Sequence, residues 1–173
     1  MNRPFTHCTK CGSPLTKESW PNRCEVCGAM HFLNPLPVAV LIQPTEEGVV
    51  TVRRGIEPKR GALAFPGGFI DVGESWQNAA VRELYEETQI CVDPADVTLF
   101  DVVSAPDGTV LIFGIAPEIH AAKLEAFQPS KEVSELVVIG DQRELAFEIH
   151  TQMLEKWRRQ RLQSSELNQE VPS

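Results

Sequence analysis

Residues 66–90 read PGGFIDVGESWQNAAVRELYEETQI, and within this stretch the backbone must change habit. Gly67, Gly68 and Gly73 mark a loop that can turn sharply or approach a ligand closely. From Ser75 the apolar spacing becomes helical and predicts a helix to about Thr88. On that helix Glu83, Glu86 and Glu87 stand at i, i+3 and i+4, so they share one flank. Like charges so placed repel, which leaves two readings, a solvated acidic face or a divalent-metal site. Ala80 and Leu84 lie in a neighbouring sector that can pack on a sheet. Glu74 and Arg82, about two helical turns apart, would brace the loop against the helix.

The rest of the chain supplies strands for such a helix to cover. Its 173 residues are 42% apolar and 23% charged, enough for one substantial core and one small extra unit. Strands are expected at 38–42, 49–53, 62–65, 99–103, 110–116 and 133–139, with turns at Pro44–Gly48 and Pro106–Gly108. Arg53 and Arg54 lead into a polar loop containing Lys59 and Arg60, which would either meet phosphate or form an exposed turn. Leu145, Ile149, Met153 and Trp157 recur every four residues and predict a last helix from about Asp141 to Arg161. The fold class is therefore α/β, a mixed sheet between helices. We expect a small unit at 1–34, the main domain at 35–163 and a flexible tail at 164–173.

The small unit has its own signature. Cys8 and Cys11, then Cys24 and Cys27, form two CxxC pairs separated by twelve residues, and each pair is followed by a glycine, Gly12 or Gly28. This is metal-ligand spacing, and so short a segment needs a metal to supply folding free energy. Four thiolates would fill the shell of a Zn²⁺ ion and leave no position for water, making it structural. A rubredoxin-like iron site also fits the spacing. His7 and His31 are expected at the surface or around the ligands, and Cys91 as a small buried apolar residue.

Sixteen basic against 24 acidic residues give a net charge of −8. That balance argues against nucleic acid or an anionic membrane as the main partner, but not against an anionic substrate met through bound cations. The weak basic bias of the small unit, from Arg3, Lys10, Lys17 and Arg23 against Glu18 and Glu25, offers little for RNA. The most apolar early stretch, Pro35 to Ile42, is too short to span a bilayer. The start lacks the apolar core of an export signal, so a cytoplasmic location is expected.

Residues 68–90, GFIDVGESWQNAAVRELYEETQI, resemble the Nudix hydrolase signature: glycine, five residues, glutamate, seven residues, then REUxEExGU with U bulky and apolar. Gly68, Glu74, Arg82, Glu83, Leu84, Glu86, Glu87 and Ile90 match it, whereas Gln89 stands where the family has glycine. That exchange would cost about 1 kcal/mol at a left-handed helix exit or force another turn. The resemblance implies a Nudix α/β/α sandwich preceded by a four-cysteine zinc ribbon. The ribbon, the Asn34-Pro35 junction, Arg54 and the Pro66–Glu74 loop are similar to the layout of zinc-bearing Nudix enzymes, among them NADH and plant FAD pyrophosphatases. The SQPWPFPxS segment associated with NADH pyrophosphatases is absent.

By the same resemblance, Glu83, Glu86 and Glu87 would hold one to three Mg²⁺ or Mn²⁺ ions, with help from the Gly67 carbonyl. Glu74 and Arg82 would support them, with Gly68 in the loop. Hydrolysis would split a nucleoside diphosphate derivative such as FAD, NADH or ADP-ribose. The base that activates water would be Glu86 or Glu87, or come from a later loop carrying Glu132 and Glu135. Arg54 would contact phosphate. Phe69 would stack on the substrate or pack, with Phe5 and Trp20 as further aromatic candidates. The resemblance also implies a homodimer. The different-class alternative is a nucleic-acid or protein-binding module whose Nudix-like domain is inactive.

Overall fold

The computed structural model describes residues 6–16 and 19–167, and the chain divides into two compact units between Pro35 and Leu36. In the first unit, β1 (Asn22–Arg23) pairs antiparallel with β2 (Met30–His31). Cys8, Leu15 and Cys24 are buried together, so the cysteines themselves form much of this small core. Phe5 lies outside the described residues.

In the second unit β3 (Leu36–Ile42) sits inside a four-stranded sheet. It pairs antiparallel with β7 (Gly67–Phe69) on one side and parallel with β9 (Thr109–Ile115) on the other. The edge strand β8 (Thr98–Ser104) is antiparallel to β9. A second sheet is antiparallel throughout: β5 (Gly48–Arg54) pairs with β10 (Val133–Ile139), with β4 (Pro44–Thr45) across a tight hairpin, and with β6 (Leu63–Ala64).

Strand alternation explains how two helices find opposite faces. Ala39 and Leu41 of β3 and Val50 of β5 pack with Ala79, Ala80 and Leu84 of α1 (Trp76–Thr88). Val40, Ile42 and Val49 join Phe113 and the Met153, Leu154 and Trp157 face of α2 (Glu148–Leu167). The sheets are thus buried between helices, the α/β/α arrangement with a mixed sheet. No helix among the described residues is long and apolar enough to cross a membrane.

Several local expectations change. The loop at 66–74 contributes β7, because Val38, Ala39 and Val40 find partners in Phe69, Gly68 and Gly67. The last helix starts at Glu148 rather than near Asp141: the Ala146 N–H donates to the Leu63 carbonyl at 2.6 Å, and the Leu145 N–H to Thr151 Oγ1 at 3.0 Å. Those amides serve the sheet and the cap, so the helix begins after them. It continues to Leu167, beyond the expected boundary at 163, and residues 168–173 lie outside the described ones. Cys91 is exposed, not buried, since it follows the helix exit after the buried Ile90.

Candidate active site

The helix α1 is anchored at its start by Ser75, whose hydroxyl accepts the Asn78 N–H at 3.2 Å. This satisfies an otherwise unpaired amide of the first turn. Three turns later the acidic flank meets β7. The glycine at 68 has a direct reason: a Cβ there would collide with the Glu83 carboxylate. Gly67 is similarly pressed on the Ala39 carbonyl, and its N–H donates to Glu87 Oε2 at 3.2 Å.

Arg82 knits the loop to the helix. Its Nε and Nη2 donate to Glu74 at 3.0 and 3.1 Å, Nη1 donates to Glu83 Oε1 at 2.7 Å and Glu86 Oε2 at 3.3 Å, and Nη2 also reaches the Phe69 carbonyl at 3.0 Å. Glu74 is held below the usual carboxylate range by its bond to this guanidinium. The brace expected between residues 74 and 82 is therefore present, and it extends to two of the three glutamates.

The three glutamates differ in setting. Glu83 and Glu87 are turned inward, while the Glu86 side chain is exposed and drawn toward Arg82. Their carboxylates do not form one cluster as tight as that of the cysteines, whose ligand atoms lie within 4.8 Å of one another. Burial pushes Glu87 up to about 8, with further repulsion from Glu83 and Glu132, although the Gly67 N–H pulls the other way. Burial also raises Glu83, against the opposing pull of Arg82. Desolvated acids facing other acids fit a bound divalent cation, because oxygen-seeking charge would remove both penalties.

Glu87 lines a cleft of about 620 Å³. Gly67, Gly68, Phe69 and Arg54 line it as well, together with Asp107, Phe147 and His150. Arg54 leaves β5 with its Nε donating to the Pro58 carbonyl at 2.8 Å and its guanidinium 5.2 Å from the Phe147 ring centre. His150 is buried among Phe65, Phe113 and Phe147, and its Nδ1 accepts the Phe65 N–H at 3.2 Å. Desolvation, with the charge of Arg54, lowers it to about 4, so it is neutral at neutral pH. Sequence reasoning missed Phe147 and His150, which sit about 60 positions beyond the end of the motif and reach the cleft only through the start of α2. Phe69 lines the cleft and is exposed, and Arg54 lines it as well. Glu135 instead pairs with Arg53 at 2.6 Å on the sheet.

In the first unit the four sulfurs fit a tetrahedral ion. Cys8 and Cys27 Sγ are 3.6 Å apart, and Cys11 and Cys24 Sγ 3.7 Å. A Zn–S length of about 2.3 Å places sulfurs about 3.8 Å apart. Each pair is folded into a knuckle by the following glycine: the Gly12 N–H donates to the Cys8 carbonyl and the Gly28 N–H to that of Cys24, both at 2.9 Å. His31 is buried with Nε2 3.3 Å from Cys8 Sγ, whereas His7 is exposed. A histidine there can steady a thiolate without replacing it.

Residues 33–136 match the NUDIX domain family. An ADP-ribose pyrophosphatase of Methanocaldococcus jannaschii is 29% identical over 132 residues, covering 74% of this chain and 76% of that protein. The NAD-capped RNA hydrolase NudC of Salmonella heidelberg is 27% identical over 92 residues, 52% of this chain but 35% of that protein's length. Among solved structures, a NUDIX hydrolase from Nitrosomonas europaea superposes with a TM-score of 0.73 at 24% identity over 92% of this chain and 93% of that one, a likeness of fold. The NUDIX domain of Shewanella oneidensis NrtR, in complex with ADP ribose, gives a TM-score of 0.58 at 26% identity over 75% of this chain and 90% of that one.

Proposed function

The chain belongs to the Nudix family of pyrophosphohydrolases, and on that premise we propose that it hydrolyses the pyrophosphate linkage of a nucleoside diphosphate derivative, with ADP-ribose, NADH and FAD as the compounds to test first. The observation that carries the reading is the setting of Glu87. A desolvated carboxylate stands beside Glu83 and the Gly67 amide in the lining of a cleft of about 620 Å³ that Arg54 also lines. The M. jannaschii relative and the ADP ribose complex support ADP-ribose as the leading compound.

Mg²⁺ or Mn²⁺ held by Glu83, Glu86 and Glu87 would supply neutralisation of the pyrophosphate and acidification of a bound water. The chain's own groups then position and move protons. Arg82, tied to Glu74, fixes the helix against the loop. Arg54, with Nε occupied by Pro58, offers its terminal nitrogens to a substrate phosphate. A carboxylate, Glu86, Glu87 or Glu132, takes the water proton as the water oxygen bonds to phosphorus. The bond from phosphorus to the bridging oxygen breaks, and that oxygen keeps the electron pair. Two monophosphates result, one of them AMP from ADP-ribose. In the small unit we assign Zn²⁺ to Cys8, Cys11, Cys24 and Cys27 as a structural ion.

The test is a screen of ADP-ribose, NADH and FAD with Mg²⁺ and with Mn²⁺, read by product mass. Two monophosphate products support the assignment, and no cleavage of any compound overturns it. NAD-capped RNA is included because of the Salmonella relative, though the −8 charge favours the free small molecule. Tight RNA or protein binding without products would favour the inactive binding module.

A further inference from the structure

Gln89 is the one departure from the signature at residues 68–90, and it adopts the backbone that glycine would. Its φ of 61° and ψ of 15° form the left-handed cap of α1, with its N–H donating to the Tyr85 carbonyl at 2.8 Å. A side chain in this region is disfavoured by about 1 kcal/mol or more relative to glycine. The side chain makes a contact that glycine cannot: Gln89 Oε1 accepts the Gln128 N–H at 2.7 Å, across 39 residues of sequence. Its Nε2 turns back to the Glu86 carbonyl at 3.4 Å.

The segment that begins at Gln128 is fixed again at its far end. The Gly55 N–H donates to the Glu132 carbonyl at 2.7 Å, and a Cβ on Gly55 would collide with the Lys131 carbonyl. Between these points Ser130 Oγ accepts the N–H groups of Glu132 and Val133 at 3.2 and 3.1 Å, and the Ser130 N–H donates to the Val133 carbonyl at 2.8 Å. The segment is therefore pinned to α1, to β5 and to itself. Glu132 leaves it next to Val133, which pairs in register with Arg54, a residue of the cleft that Glu87 also lines.

We propose that Gln89 is a positioning residue: its amide oxygen anchors residues 128–132 to the end of α1 and thereby holds Glu132 where the segment enters β10 beside Arg54 of the cleft. This rests on the hydrolase reading above and adds to it a specific link between the helix exit and a carboxylate of the later loop. Glycine at 89 would relieve the backbone yet leave the Gln128 amide to water. The polar side chain thus trades a small local strain for the placement of a distant acid.

Three variants separate strain from anchoring in the full-length protein. Gln89→Gly relieves the left-handed strain, Gln89→Met retains it, and both lose the acceptor. Gln89→Glu keeps an acceptor of the same reach. Amide exchange is read by NMR on metal-free protein. Exchange at Gln128 is expected to quicken by about tenfold in the Gly and Met variants and to stay near the parent rate in Gln89→Glu. With Mg²⁺ and the substrate found in the product screen, kcat should fall by about tenfold in the first two, with KM held within about twofold, and recover in Gln89→Glu. In a Glu132→Gln background, Gln89→Gly should add no further loss.

Unchanged exchange at Gln128 overturns the anchor. Faster exchange with unchanged kcat, or an undiminished effect of Gln89→Gly when Glu132 is already neutral, overturns its role in placing Glu132. If the parent protein turns over no substrate, the hydrolase reading fails, and exchange at Gln128 and Glu132 decides the anchor by itself.

Discussion

Arg82 Nε and Nη2 grip the two carboxylate oxygens of Glu74 at 3.0 and 3.1 Å, closing the loop that precedes α1 onto the helix eight residues later. The side chains are 30% and 16% exposed, between the surface and the interior. Surface ion pairs contribute about 0–1 kcal/mol, and breaking a buried one costs about 3–5 kcal/mol. We expect Arg82→Ala to destabilise the domain by about 2 kcal/mol in urea titration. Arg82→Lys should recover only part of this, because an ammonium cannot make the two-pronged bond.

The Glu87 carboxyl gives the metal-free protein a characteristic pH response. Its folded value, about 8, lies above the ordinary 4.5, so between these limits the folded state binds more protons and stability declines as pH rises. The full effect is on the order of 4 kcal/mol. In chelator, thermal stability should fall from about pH 6.5 to 8, and Glu87→Gln should flatten that limb. Millimolar Mg²⁺ should do the same in the parent protein, while Glu87→Gln abolishes turnover.

His150 acts with the opposite sign. Its folded value of about 4 lies below the ordinary 6.5, so the unfolded state binds more protons between them, and stability is lost as pH falls through that window. The loss is on the order of 3 kcal/mol. From 4.5 to 6.5 the two groups oppose each other. The His150 limb should therefore emerge clearly in the Glu87→Gln protein, as a drop in melting temperature below pH 6.5. A flat acid limb in that variant would contradict the neutral, buried imidazole.

Removing the metal should act on the small unit. With zinc on four thiolates, metal analysis should find one ion per chain. Cys24→Ser or a strong chelator should broaden the NMR signals of residues 6–34, since so little apolar surface is buried there without it. Retention of those signals in fully metal-free protein would remove the structural role.

How much of this was written in the residues depends on whether the signal was local. The acidic flank of α1 and the Ser75 start were legible because helical spacing and capping act within a few positions. The CxxC pairs were legible because metal geometry dictates their separation. β7 was not, since two of its three residues are Gly67 and Gly68, which disfavour strands, and the segment is held by pairing with Val38 to Val40. The start of α2 was misplaced by seven residues because Leu145 keeps the apolar spacing while Ala146 gives its N–H to Leu63. Phe147 and His150 carry no motif at all. They join the cleft only when α2 packs across the sheet, and the Gln89 contact with Gln128 is equally a product of the fold.

The missing methyl group at position 68 makes a last point about tolerance to change. Its place is taken by a carboxylate rather than by packed hydrocarbon, so even alanine there would displace the Glu83 side chain and leave the core whole. A saturation scan should accordingly record position 68 as a site where soluble yield and turnover part company.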